Sequence, residues 1–131
     1  MTTFNALHLN AFIAGYLEAI IFAECATDQN GEEIENLAWY EFSLVAQEFC
    51  KQECARFLDT FGGLVNLAVQ SESVDYDHTQ AGRDLWFTRQ GHGVGFWDRG
   101  LGSIGDHLTT AAKTFGERYI FINDDGLIEV E

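Results

Sequence analysis

The sequence predicts an α+β domain, and three observations carry that expectation. First, 131 residues that are 47% apolar and 14% aromatic are one domain's worth of packed chain, spanning 1–131. Second, glycine is unevenly placed. Only Gly15, Gly31, Gly62 and Gly63 precede residue 80, nine follow it, and there is no proline anywhere. The first half therefore reads as helix and the second as turns and strands. Third, Asp125-Gly126 sits between two alternating apolar segments, the strongest short-range signal for a β-hairpin.

Taken in order, Leu9, Ile13, Tyr16, Leu17 and Ile20 share one helical face while Glu18 points away, an amphipathic helix of about four turns capped by Asn5 or Asn10. Residues 26–31 (ATDQNG) form a turn. Glu32, Glu33 and Glu35 then suit the start of a second helix, where the helix dipole favours negative charge. That helix is expected to run to about Asp59, with Phe42, Val45, Phe49 and Phe57 on its buried side and Gly62-Gly63 as its stop. Residues 64–70 fit either a short helix or a strand, and 71–82 read as an acidic loop. Two aromatic runs, 84–89 and 94–98, flank a glycine turn at Gly91-His92 and predict a β-hairpin. Its register places Trp86 opposite Trp97, Phe87 opposite Phe96 and Asp84 opposite Arg99, with His92 solvated at the tip. A short helix over 103–115 and a closing hairpin of 119–123 and 127–131 complete the order α-α-β-β-α-β-β. The expected fold is an antiparallel four-stranded sheet with helices on one face.

Charge is the outlier. Twenty-one Asp and Glu against seven Lys and Arg give a formal net charge of −14. That balance opposes direct nucleic-acid binding, which needs clustered cations facing phosphates, and opposes docking on an anionic membrane. Three cysteines, an odd number, in a chain too large to need disulfide staples point to a reducing cytoplasm. The most apolar run, Ala11–Phe22, is too short to span a bilayer, and the first 17 residues lack the basic start of a secretion signal.

Three constellations bear on chemistry. Gly100-x-Gly102-x-x-Gly105 matches a dinucleotide-binding spacing, but the preceding segment ends in Asp98-Arg99 and one such unit is too small for a dinucleotide. A tight turn into the following helix is the simpler account. Cys50 and Cys54 are one helical turn apart, yet no paired spacing among Cys25, His8, His78, His92 and His107 completes a four-ligand metal site. They read as small buried apolar residues, and neither metal nor cofactor is expected. His92, Asp98, Arg99 and His107, with Asp106, hold the raw material of acid–base chemistry within 16 residues, though without a nucleophile motif. They define an alternative small-molecule or catalytic site.

The remaining feature is the acidity. On the second helix Glu41, Glu48 and Asp59 fall within about 20° of one another, with successive rises of about 10.5 and 16.5 Å at 1.5 Å per residue. Glu72, Asp75 and Asp77 follow in the loop. Phosphates recur every 3.4 Å or so along one DNA strand, so a folded array of carboxylates imitates several of them.

The segment 81–102 (AGRDLWFTRQGHGVGFWDRGLG), continuing to Gly105-Asp-His-Leu-Thr and Ala111-Ala-Lys-Thr-Phe-Gly116, resembles a group of small phage- and plasmid-encoded proteins. They share a "GxDFW-TRNGHGAGFWDRGLG" type of stretch, and the likeness covers residues 75–131. Arg83 and Leu85 stand where that pattern has His and Phe. The resemblance transfers no functional residue, but it implies a mobile-element origin, and small acidic proteins of that origin often inhibit host defence. The expected function is thus a non-enzymatic inhibitor that presents Glu41, Glu48, Asp59, Glu72, Asp75 and Asp77 to a host nucleic-acid-handling protein such as a nuclease, restriction enzyme or CRISPR complex. A third reading is an oligomer-forming accessory protein, because eleven Phe, four Tyr and three Trp exceed what a core this size readily hides.

Overall fold

A computed structural model describes residues 5–72 and 74–131. Ser73, within the expected acidic loop, lies outside the described residues. In chain order the elements are α1 (Ala6–Ala23), β1 (Ala26–Thr27), β2 (Glu33–Ile34), a 3-10 turn (Leu37–Trp39), α2 (Leu44–Val69), α3 (His78–Arg89), a 3-10 turn (Phe96–Asp98), α4 (Ser103–Lys113), β3 (Ile120–Ile122) and β4 (Ile128–Val130). The class is α+β, as expected, but with four helices among the described residues and a small mixed sheet ordered β2-β1-β3-β4. β1 pairs antiparallel with β2 but parallel with β3, through Thr27 and Phe121, so the sheet is not the antiparallel one expected. The closing hairpin is present in the predicted place. Ile120 pairs Val130, Ile122 pairs Ile128, and all four side chains are buried.

α1 begins where Asn5 Oδ1 accepts from the His8 amide at 2.8 Å. By length and composition this helix is capable of crossing a membrane, with 18 residues and a mean hydropathy of 1.5. Here Phe12, Tyr16, Ala19 and Ile20 are buried in the protein core, and Glu18 is ion-paired to Arg83.

α2 starts later than expected. Ser43 Oγ accepts from the Ala46 amide at 2.9 Å and caps the helix, while Glu32, Glu33 and Glu35 lie in and beside the β1–β2 hairpin. The Asp28 carboxylate accepts from the amides of Asn30 and Glu32 and closes that turn, an Asx arrangement that draws the chain away from helix. Nor does Gly62-Gly63 stop α2, which continues to Val69 and absorbs the ambiguous 64–70 segment. Its buried side is Ala46, Cys50, Glu53, Cys54, Phe57, Leu58, Val65 and Ala68; Val45, expected inside, is exposed.

The aromatic hairpin of 84–98 does not exist. Residues 78–89 are α3, capped by Asp77, whose Oδ1 accepts from the Gln80 amide at 2.8 Å. α3 runs through the core. Ala81, Gly82 and every residue from Asp84 to Arg89 are buried, so over its last six residues no solvent face remains to print a 3.6-residue period on the sequence. The helix ends in a Schellman motif. The Gly91 amide donates to the Thr88 carbonyl and the His92 amide to the Phe87 carbonyl, with Gly91 at φ +74°. Glycine at this position stops a helix rather than turning a hairpin. Trp86 is fully buried, Trp97 is 43% exposed, and the two are not cross-strand partners.

α1 and α3 form the closest helix pair. A Cβ built on Gly15 would lie 1.9 Å from the Thr79 carbonyl oxygen, and one on Gly82 would lie 1.9 Å from that of Phe12. The two backbones touch at reciprocal glycines. Gly105 plays a similar part where α4 meets the second 3-10 turn, with its absent Cβ only 2.8 Å from the Phe96 carbonyl oxygen. The Gly100–Gly105 spacing thus serves a tight turn and close packing.

Candidate functional site

Two carboxylates lie inside this acidic protein, and between them they gather most of its arginines. Glu53, 6% exposed, projects from the apolar side of α2. Its Oε1 accepts from Arg89 Nη1 at 3.0 Å and Arg118 Nη2 at 3.2 Å; its Oε2 accepts from Arg56 Nη2 at 2.8 Å. Burial alone would raise the Glu53 carboxyl, but the hydrogen bonds from Arg56 and Arg89 outweigh it and hold the group below its ordinary value. Arg89, 3% exposed, also donates to Tyr16 Oη at 3.0 Å and to the Phe115 and Gly116 carbonyls at 2.7 and 2.8 Å. One guanidinium therefore ties α3 to α1, to α2 and to the turn after α4. Burial drives the Tyr16 hydroxyl well above its usual range even against Arg89, so Tyr16 stays protonated.

Asp84 is the second, fully buried. Arg99 grips it through Nη2 at 2.7 Å and Nε at 3.0 Å, Tyr76 Oη donates at 2.7 Å and Gln80 Nε2 at 3.1 Å. The Asp84–Arg99 pair expected from the hairpin register is present, but it joins a helix to a 3-10 turn. The Asp84 hydrogen bonds raise the Arg99 guanidinium above its ordinary value, while burial of Tyr76 raises its hydroxyl further still.

The remaining arginine, Arg83, pairs with Glu18 at 2.6 Å. All five arginines are thus committed to ion pairs, which leaves Lys51 and Lys113 as the cations without one among the described residues. The acids behave oppositely. Sixteen of the 21 are exposed, and among the described residues only Glu18 of those sixteen is in an ion pair. The arginine charge is spent on three carboxylates, two of them buried, so the unpaired charge left at the surface is mostly negative.

The six predicted partner-binding acids, Glu41, Glu48, Asp59, Glu72, Asp75 and Asp77, are all exposed. Glu48 and Asp59 lie on α2 itself. Glu41 precedes its cap, and its carbonyl accepts from the Ile128 amide at 2.8 Å. Glu72, Asp75 and Asp77 follow the C-terminal end of α2, with Asp77 partly engaged as the α3 cap. The helical stripe therefore keeps two of its three members.

The alternative set does not converge. Among the described residues no hydrogen bond or ion pair joins any two of His92, Asp98, Arg99 and His107. His107 Nδ1 lies 2.8 Å from the Ser103 carbonyl of its own helix, Asp98 is exposed, and Arg99 belongs to Asp84. His92 is not a solvated tip. Its Nε2 donates to Glu24 Oε2 at 2.5 Å, the same oxygen accepts from Trp86 Nε1 at 3.0 Å, and the ring stands edge-on to Phe87. Because a carboxylate only accepts, Nε2 carries the hydrogen. Cys50 and Cys54 are wholly buried; burial pushes the Cys50 thiol up to about 12 and Cys54 well above its usual value, so both sulfurs are protonated core atoms. Among the described residues no group of three or more His, Cys, Asp or Glu is placed to hold a metal.

Sequence reasoning missed the Glu53–Arg89 network. Its signal was available: Glu53 sits three residues after Cys50 and four before Phe57, a charge on the apolar face of its helix. Compared with known protein families, curated proteins and solved structures, the chain has no match.

Proposed function

We propose that this protein is a non-enzymatic inhibitor of cytoplasmic, mobile-element origin that docks on the basic groove of a host nucleic-acid-handling or defence protein, in place of the nucleic acid. One observation carries the reading: the arginines are drawn onto Glu53, Asp84 and Glu18, and the surface left behind is dominated by unpaired carboxylates. A net charge of −14 with so few free cations is more self-repulsion than solubility needs. The protein is itself repelled by nucleic acid and attracted to surfaces that bind it. Such association is electrostatically steered and weakens as salt shortens the Debye length. Immobilised protein in bacterial lysate at about 50 mM salt should retain nucleic-acid-binding proteins freed of their nucleic acid, and release them by about 300 mM. Retention of none, or of proteins still carrying their DNA or RNA, would refute the reading.

A second reading, small-molecule binding, has one observation in its favour. A cavity of about 320 Å³ between α1 and α3 is lined by Glu18, Phe22, Gln80, Arg83, Phe87 and Arg99. It includes one residue of the glycine-rich segment rather than centring on it.

A further inference from the structure

The segment that leads into α2 carries three large apolar side chains almost wholly in water: Trp39 is 88% exposed, Leu44 82% and Val45 76%. Single exposed apolar residues are ordinary, but three within seven consecutive residues are not. The chain buries their neighbours. Leu37 is inaccessible, Tyr40 and Phe42 are half-buried, and Ser43 caps the helix, so the segment is held in place rather than loose. Acids flank it on both sides. Glu35 and Glu41 are exposed before the helix and Glu48 one turn into it; the nearby cations are Lys51, a turn further on, and Arg118, which lies over the Phe49 ring and is paired with Glu53. An apolar centre with a charged rim is the anatomy of a protein interface, and tryptophan is the residue most often found at its energetic centre.

We infer that Trp39, Leu44 and Val45 form the anchor of the docking surface, and that the occupant is a protein whose apolar pocket is rimmed by lysine and arginine. This rests on the inhibitor reading above and adds to it where the partner is gripped. Charge complementarity selects the occupant. A second copy would bring −14 against −14, and nucleic acid or an anionic membrane is repelled by the same acids, whereas a basic rim meets Glu35, Glu41 and Glu48 while its pocket covers the tryptophan. Carboxylates supply steering, and the apolar anchors supply the slow dissociation that steering alone does not give.

The test uses two cationic probes of equal charge, an amphipathic Lys/Leu peptide and an oligolysine, titrated against the full chain by calorimetry. Both should bind with strong salt dependence. The combined variant Trp39→Ala, Leu44→Gln, Val45→Gln, confirmed as folded by circular dichroism, should lose about tenfold or more in affinity for the amphipathic peptide and nothing for oligolysine. Leu7→Gln, which alters an exposed leucine elsewhere (79%), should change neither. Equal binding of both probes to wild type and triple variant would overturn the anchor while leaving the inhibitor reading intact. Failure of either probe to bind at low salt would overturn both. Sedimentation showing a dimer that the triple variant abolishes would assign the surface to a second copy, and flotation with phosphatidylcholine vesicles that depends on Trp39 would assign it to a membrane; either result refutes the inference.

Discussion

Replacing Gly15 with alanine should be one of the most damaging single-methyl changes in this protein. The new Cβ would lie 1.9 Å from the Thr79 carbonyl oxygen, against an ordinary contact of 3.4 Å or more, so α1 and α3 must part by about 1.5 Å. The obstacle is helix backbone, which has no rotamer to turn aside. A gap of that order forfeits more than about half the dispersion attraction across the contact, where Phe12, Tyr16 and Leu85 are all buried. Overpacking of this kind costs about 3 kcal/mol or more, offset by about 1 kcal/mol that alanine gains over glycine in a helix. The net loss is about 2 kcal/mol or more, a fall in Tm of roughly 6–10 °C for a chain of this length. Gly63→Ala is the matched control, because in α2 the added Cβ meets nothing within 4 Å. It should stabilise by about 0.5–1 kcal/mol. Gly82→Ala should behave like Gly15→Ala. The double variant should cost less than the two added together, since helices already parted have room for the second methyl. Urea unfolding followed at 222 nm measures all four. If Gly15→Ala proves as stable as Gly63→Ala, the backbone contact is not what joins the helices.

Arg89→Met leaves Glu53 short of one guanidinium and strips donors from Tyr16 and two backbone carbonyls; unfolding by urea should show a loss of about 3–5 kcal/mol, and an unchanged midpoint would refute the network. Trp86→Ala should cost about 3–5 kcal/mol, and Trp97→Ala, at a half-exposed site, only about 1 kcal/mol. The reverse order would restore the hairpin. His78, stacked on His8 at 4.0 Å with Nε2 at 3.1 Å from Asn66 Oδ1, has its pKa lowered by burial and by His8, against the pull of Asp77. The unfolded chain then binds the extra proton, so stability should hold above about pH 6.5 and decline as pH falls below it, and His78→Gln should flatten that decline. Glu53, lowered instead, contributes stability that is lost only below about pH 4.5, so the two groups act in separate windows.

The parts legible in the sequence are those with one face in water. α1, α4 and the β3–β4 hairpin lie where periodicity and Asp125-Gly126 put them, because each shows an alternation between core and solvent. α3 was illegible for the opposite reason. Buried all round, its Leu-Trp-Phe-Thr run displays the composition of a strand, and tertiary surroundings override that preference. The start of α2 was misplaced because three glutamates suit a helix N-terminus and an exposed edge strand equally well. At the candidate site, exposure of the six acids was legible, but the pairing of the arginines was not: partners such as Glu53 and Arg89 are 36 residues apart and meet only in the fold.

The commitment of the arginines has a consequence for proteolysis. A protease that cleaves after Lys and Arg finds Lys51 and Arg56 on the helical backbone of α2, Arg83 and Arg89 in α3, Arg99 and Arg118 held by buried carboxylates, and only Lys113 exposed at a helix end. Cleavage at most of these sites requires the core to open, so the rate of tryptic digestion reports global unfolding. A glutamate-specific protease meets the opposite molecule, with Glu32, Glu33 and Glu35 exposed together beside a two-residue strand. The same fold should resist the first enzyme and be nicked by the second, with the first cuts falling between α1 and α2.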